Sequence, residues 1–201
     1  MDTQSKKGKI IVISGPSGVG KSTICREVLN RLDNVCSSIS VTTRPQAKNE
    51  INGKDYWFVT KQQFQGKLEA GQLLEYAEVF GNLYGTPKDK VDEALDAGKT
   101  VILEIDVQGG KKIKNNCPDA VMIFIMPPAR KDLVERMTGR ARDDSQSAAK
   151  RLGGADAEIV AAKQYYEHIV VNDDLQEAIN NVIQIIQQAR NLEVDCGERK
   201  K

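Results

Sequence analysis

Histidine occurs once and cysteine only four times in these 201 residues. The cysteines, Cys25, Cys36, Cys117 and Cys196, lie far apart with no CxxC spacing. That pattern supports neither a structural zinc site nor a disulfide framework, and it predicts reduced, structural thiols. His168 precedes an apolar strand, has no catalytic partners in sequence, and reads as structural. An excess of charge is also missing, since 29 Lys+Arg face 28 Asp+Glu for a net +1. A strongly nucleic-acid-binding chain is therefore not expected, and at 40% hydrophobic residues neither is a disordered one. No apolar run approaches the ~20 residues of a membrane span, and the opening MDTQSKKGKI lacks a signal-peptide core. A cytoplasmic protein without membrane or nucleic-acid partners is expected. Internal repeats and low-complexity tracts are absent too.

The length suits one domain with a single substantial core. Lys9 to Ser14 is a short β-branched run between Gly8 and Gly15, the pattern of a strand buried on both faces. Similar runs recur at Thr100 to Asp106, Ala120 to Met126 and His168 to Val171, separated by helical patterns. The alternation predicts an α/β doubly wound core on a parallel sheet. Thr86 is read as a helix N-cap, with Pro87 at the first helical position and Gly98 closing a helix from Lys88 to Ala97. Leu175, Ile179, Val182, Ile183 and Ile186 predict an amphipathic helix from Asp174 to about Arg190, with a frayed polar end beyond it.

Two regions break the alternation. Ser37 to Thr86 carries strand-like pieces at Ile39 to Thr43, Tyr56 to Thr60 and Leu73 to Phe80, around a short helix from about Gln62 to Ala70. It reads as a mixed insertion. Arg140 to Ala155 is almost devoid of large apolar residues and reads as a loop or lid.

Directly after the first strand comes Gly15-Pro16-Ser17-Gly18-Val19-Gly20-Lys21-Ser22-Thr23, matching GxxxxGK[ST] at every fixed position. Ile24, Val28 and Leu29 follow at helical spacing. Glycines let successive N–H groups turn toward an anion, the following helix offers its positive N-terminus, and Lys21 adds a full charge. Average residue frequencies give about one chance in a hundred of the pattern arising in such a chain. The loop predicts a nucleoside triphosphate site, with Ser22 able to ligate magnesium. Glu104 and Asp106, two apart on one expected strand, would share a face that seldom carries two carboxylates. Asp106 is assigned to the magnesium and Lys21 side.

With Ser40-Val-Thr-Thr-Arg44, Glu50 to Tyr56, Glu75-Tyr-Ala, Gly81 to Thr86, Glu104 to Gly109 and Val171 to Asp174, the loop resembles the guanylate kinases in order and spacing from about Lys9 to Arg190. The resemblance implies magnesium-dependent transfer of the γ-phosphoryl group of ATP to GMP. It also implies a three-layer phosphate-loop core with a parallel sheet, drawn from residues 1–36, 87–135 and 156–201, a mixed α/β GMP-binding insertion (37–86) and a helical or loop lid (136–155). Ser40, Glu75 and Thr86 would face the guanine, with Glu104 on the same side. Arg44, Tyr56 and Tyr84 would hold the GMP phosphate, with Glu50 orienting the arginine. Arg136, Arg140 and Arg151 would act on the transferring group from the lid, and Arg142 less directly.

Guanine shows two adjacent donors and one acceptor, so Glu75 can accept twice while the hydroxyls of Ser40 and Thr86 donate. The family commonly has a second arginine three residues after the first, where this chain has Ala47, and lysine at 48 cannot reproduce a bidentate fork. Two rival readings are a kinase of another phosphorylated acceptor, such as a ribose bisphosphate, and a non-catalytic interaction module. Acceptance of dGMP and assembly into a homo-oligomer are both compatible with the sequence.

Overall fold

The computed structural model describes residues 8–129, 158–160 and 162–198, with side chains as far as 191. In chain order its elements are β1 (Ile10–Ser14), α1 (Lys21–Arg31), β2 (Val35–Ser37), β3 (Val41–Thr42), β4 (Trp57–Phe58), α2 (Lys61–Glu69), β5 (Leu73–Val79) and β6 (Asn82–Pro87). There follow α3 (Lys88–Asp96), β7 (Thr100–Glu104), α4 (Val107–Asn116), β8 (Val121–Met126), β9 (His168–Val171) and α5 (Leu175–Glu198). Residues 158–160 and 162–165 are helical. The expected lid, 136–155, lies outside the described residues, and Arg136, Arg140, Arg142 and Arg151 with it.

The four apolar runs become β1, β7, β8 and β9 of one parallel sheet, ordered β2-β7-β1-β8-β9. Alternation along β1 sorts its side chains into two cores. Ile11 and Ile13 pack with Ile24, Val28, Ile179, Val182 and Ile186 of α1 and α5. Ile10 and Val12 pack with Val91, Leu95, Ile113 and Tyr166 on the opposite side. This is a helix–sheet–helix sandwich, in which each fully buried aliphatic side chain contributes about 1.5–3 kcal/mol. β2 had no sequence signal: two half-buried residues and an exposed serine at the sheet edge form no buried run.

The insertion forms a second sheet, ordered β4-β3-β6-β5, with β5 and β6 an antiparallel hairpin. Its helix α2 starts at a capping box, in which Thr60 and Gln63 satisfy each other's backbone N–H. Phe64 of α2 is fully buried beneath the sheet.

Three boundaries differ from expectation. Pro87, not Thr86, caps α3, because the Thr86 hydroxyl is turned to Glu75 instead. At the other end Gly98, in the left-handed region, lets its N–H reach Leu95 O and that of Lys99 reach Ala94 O, a Schellman closure. β7 stops at Glu104, and Asp106 is the N-cap of α4, its Oδ1 accepting from Gly109 N at 2.8 Å. α5 continues past Arg190 to Glu198, with no proline in that stretch to end it.

Candidate active site

At the C-terminal ends of β1 and β7 the chain leaves the sheet in two directions, and this is where a doubly wound sheet opens a crevice. A pocket of about 340 Å³ lies there, between the parallel sheet and the insertion. One wall is the loop after β1. Gly15 sits at φ +149°, and a Cβ there would lie 2.2 Å from the Ile125 carbonyl oxygen. Gly20, the N-cap of α1 at φ +105°, presses against the Asn172 amide, 2.6 Å from where its Cβ would be. Both positions therefore require glycine. Asn172, itself buried, donates from Nδ2 to Val19 O at 2.7 Å and fixes the crest of the loop.

Lys21 Nζ donates to the carbonyls of Gly15 (2.6 Å) and Pro16 (2.9 Å), which hold its ammonium over the loop. The first turn of α1 carries no acidic side chain, so nothing of its own offsets the positive helix terminus. Ser22 Oγ donates to Glu104 Oε1 at 2.6 Å. Glu104 therefore meets the loop, while its charge also bears on the Tyr56 phenol of the insertion. Asp106 is drawn toward the insertion: once β7 has ended, the two carboxylates no longer share a strand face. Burial raises Asp106 above the usual carboxylate range, with Lys21 and Lys112 near enough to oppose the shift.

The opposite wall is the β5–β6 hairpin. Glu75 is buried, with Oε1 accepting from Thr86 Oγ1 at 2.6 Å and Oε2 against the first turn of α4 at Gly109. Burial pushes Glu75 up to about 7, the Thr86 hydrogen bond opposing and the nearby Asp106 charge adding to the rise. Thr86 is fully buried beside Glu75 and is not among the residues of the pocket wall. Ser40 does line it.

At the outer end Arg44 Nη2 meets Glu50 Oε1 at 2.6 Å, and its guanidinium lies 5.3 Å from the centre of the Tyr56 ring. The Glu50 hydrogen bond holds the Arg44 pKa above its ordinary value. Tyr56 and Tyr84 meet edge to face at 5.9 Å, and burial raises the Tyr56 phenol to about 12. Glu50 is not in the pocket wall and meets it through its contact with Arg44. Its other oxygen accepts from Ala47 N at 2.8 Å, so it ties the ends of the 44–50 turn together. Lys48 is exposed and outside the pocket wall.

The guanylate kinase family model matches residues 7–189. The chain belongs to the guanylate kinase family. It is 45% identical to a guanylate kinase of Synechocystis over 185 residues, 92% of this chain and 96% of that one. A guanylate kinase of Clostridium tetani is also 45% identical, over 90% of this chain and 86% of its own. The crystal structure of guanylate kinase from Anaplasma phagocytophilum superposes with a TM-score of 0.75 at 35% identity, covering 92% of this chain and 87% of that one. These likenesses favour a nucleoside monophosphate kinase using ATP as co-substrate over the ribose bisphosphate kinase and the interaction module.

Two residues of this guanylate kinase site had no role in the sequence reading. Glu158 lines the pocket near Lys21 and Asp106, and burial raises its pKa. It shares a helix face with Ala162 and Tyr166, both buried, and a carboxylate on such a face was the available signal. Asn172 belonged to a quoted motif, but its bond to Val19 spans 153 positions and left no local trace. Among the described residues no helix is long and apolar enough to cross a membrane.

Proposed function

We propose that this chain transfers the γ-phosphoryl group of ATP to GMP, giving ADP and GDP. The observation that carries the reading is a single pocket with the phosphate loop on one wall and the buried Glu75–Thr86 pair on the other. ATP lies on the loop, its phosphates against the α1 terminus and Lys21. On the facing wall Glu75 accepts from the guanine N1–H and N2–H groups, and Ser40 donates to O6. Thr86 supports Glu75 from behind. Adenine reverses this donor and acceptor pattern, and sites built on such hydrogen bonds discriminate by ~10⁴ or more. Arg44, Tyr56 and Tyr84 take the GMP phosphate, with Glu50 holding the arginine.

Magnesium fits the donor set. Ser22, Glu104 and Asp106 offer hard oxygen ligands, and the pocket wall carries four carboxylates, Glu75, Glu104, Asp106 and Glu158, beside two cations, Lys21 and Arg44. Ser22 with Glu104 would hold the ion, and Asp106 would complete the set from the base side. When bound, it neutralises charge on the nucleotide phosphates. In this reading residues 37–86 are the GMP-binding unit, and the lid 136–155 brings Arg136, Arg140 and Arg151, with Arg142 beside them, to the transferring group. The same pocket serves dGMP, in a cytoplasmic enzyme that is free to form a homo-oligomer.

The test is ADP formation with magnesium and GMP, AMP, UMP or a ribose bisphosphate as acceptor. GMP is expected to exceed the others by orders of magnitude. Brisk turnover of any other acceptor with none of GMP would overturn the reading.

A further inference from the structure

β5 carries Glu75, yet it is an edge strand, and an edge strand presents a row of backbone carbonyls without strand partners. In the antiparallel pairing Glu75 faces Thr86 and Ala77 faces Tyr84. The carbonyls of Leu74 and Tyr76 point the other way, and α4 covers them: Lys112 Nζ donates to Tyr76 O at 2.5 Å and Asn116 Nδ2 reaches Leu74 O at 3.5 Å. Four residues along a helix advance about 6 Å and two along a strand about 6.6 Å, so one helix row matches one strand edge. Lys112 makes the stronger contact. Its ammonium also lies 4.1 Å from the centre of the Tyr76 ring, so it grips both the backbone and the side chain of the residue after Glu75.

This contact joins the two sheets. α4 begins at Asp106, directly behind β7 of the parallel sheet, while β5 belongs to the insertion. Where α4 runs beside β5, the Glu75 carboxylate rests against Gly109, one turn before Lys112. A slide of β5 along α4 would carry Glu75 off that turn and away from Asp106.

We propose that Lys112 is a positioning residue for acceptor selection: by clamping Tyr76 to α4 it sets where Glu75 stands in the pocket. The inference rests on the reading of Glu75 as the group that recognises guanine. Lys112 is exposed and outside the pocket wall, so it acts on the acceptor indirectly, through its hold on β5 and through its charge near the Glu75 carboxyl. The clamp lies on the β5 side of the pocket, with the phosphate loop on the opposite wall.

The test is steady-state kinetics of the full chain for Lys112→Met, Lys112→Arg and Glu75→Gln, with GMP and ATP varied in turn. Lys112→Met is expected to raise KM for GMP about tenfold, the weight of one hydrogen bond from a charged donor. The kcat at saturating GMP and KM for ATP are expected to stay within about twofold of the parent, and Lys112→Arg to restore KM for GMP. An unchanged KM for GMP in Lys112→Met beside an impaired Glu75→Gln would overturn the clamp and leave the role of Glu75 standing. Parent-like GMP kinetics in Glu75→Gln would remove the reading beneath both. A Lys112→Met variant that loses ATP and GMP affinity alike, or that arginine does not restore, would show general loosening and also overturn the proposal.

Discussion

Thr86 donates its hydroxyl to Glu75 across the β5–β6 hairpin at 2.6 Å, and both side chains are buried. Burial is the larger influence on the carboxyl, which is raised from 4.5 to about 7. Between those two values the native state holds a proton that the unfolded chain releases, so this group contributes stability at low pH that is lost as pH rises through about 7. Glu75→Gln removes the effect. The unfolding midpoint of the variant minus that of the parent should climb from pH 5 to pH 8, measured by thermal melts without nucleotide. A flat or falling difference contradicts the assignment.

The hydroxyl itself can be isolated with Thr86→Val, which keeps the shape and leaves Glu75 Oε1 without its donor. A buried carboxylate that loses a hydrogen bond is less well held in its ionised form. KM for GMP should rise about tenfold while KM for ATP stays put, and Thr86→Ser should recover most of the loss. Equal effects on both nucleotides would show that Thr86 serves the hairpin and not the acceptor.

On the opposite wall, Asn172→Ala strips the Val19 carbonyl of its buried donor and empties the space that packs against Gly20. The expected cost is about 1–3 kcal/mol of stability, the range for one orphaned buried polar group. Poorer ATP affinity at unchanged KM for GMP should accompany it. Denaturant melts and paired kinetics check both halves, and a variant with parent-like ATP binding would separate Asn172 from loop geometry.

Ala47 invites a gain of function. Its N–H is already fixed by Glu50, beside the turn that presents Arg44. Ala47→Arg adds a second guanidinium at a backbone position held in register. A charged donor to phosphate is worth roughly 1.5–3 kcal/mol, so KM for GMP should fall by about tenfold or more. No improvement, measured beside Arg44→Ala as the control for loss, would show that position 47 does not address the phosphate.

The features legible in the sequence are those with local causes. The phosphate loop is a contiguous motif, and the four parallel strands are apolar runs whose burial needs no knowledge of neighbours. Gly98 and the helix it ends were readable for the same reason. What escaped depends on partners distant in the chain. Thr86 looked like a helix cap because Pro87 follows it, but Glu75, eleven positions away, claims its hydroxyl. Glu104 and Asp106 looked like one face of one strand until the strand ended between them and sent one to Ser22 and the other to the start of α4. Glu158 had one local sign, a carboxylate on the face of Ala162 and Tyr166, but the pocket it lines is built from residues far away in the chain.

The near-collision of Gly15 with the Ile125 carbonyl has a consequence for how nucleotide recognition is divided. A loop wedged against the neighbouring strand arrives already shaped, so the donor meets a template whose entropy of ordering was settled when the chain folded. The acceptor wall is tied to the main sheet more lightly, by the Ser38 N–H to Ile102 O bond at its start and by Lys112 of α4 on the β5 edge. Adjustment upon encountering substrates therefore falls to one half of the cleft, and substitutions that stiffen or slacken that half should retune which monophosphate is accepted without disturbing the grip on triphosphate.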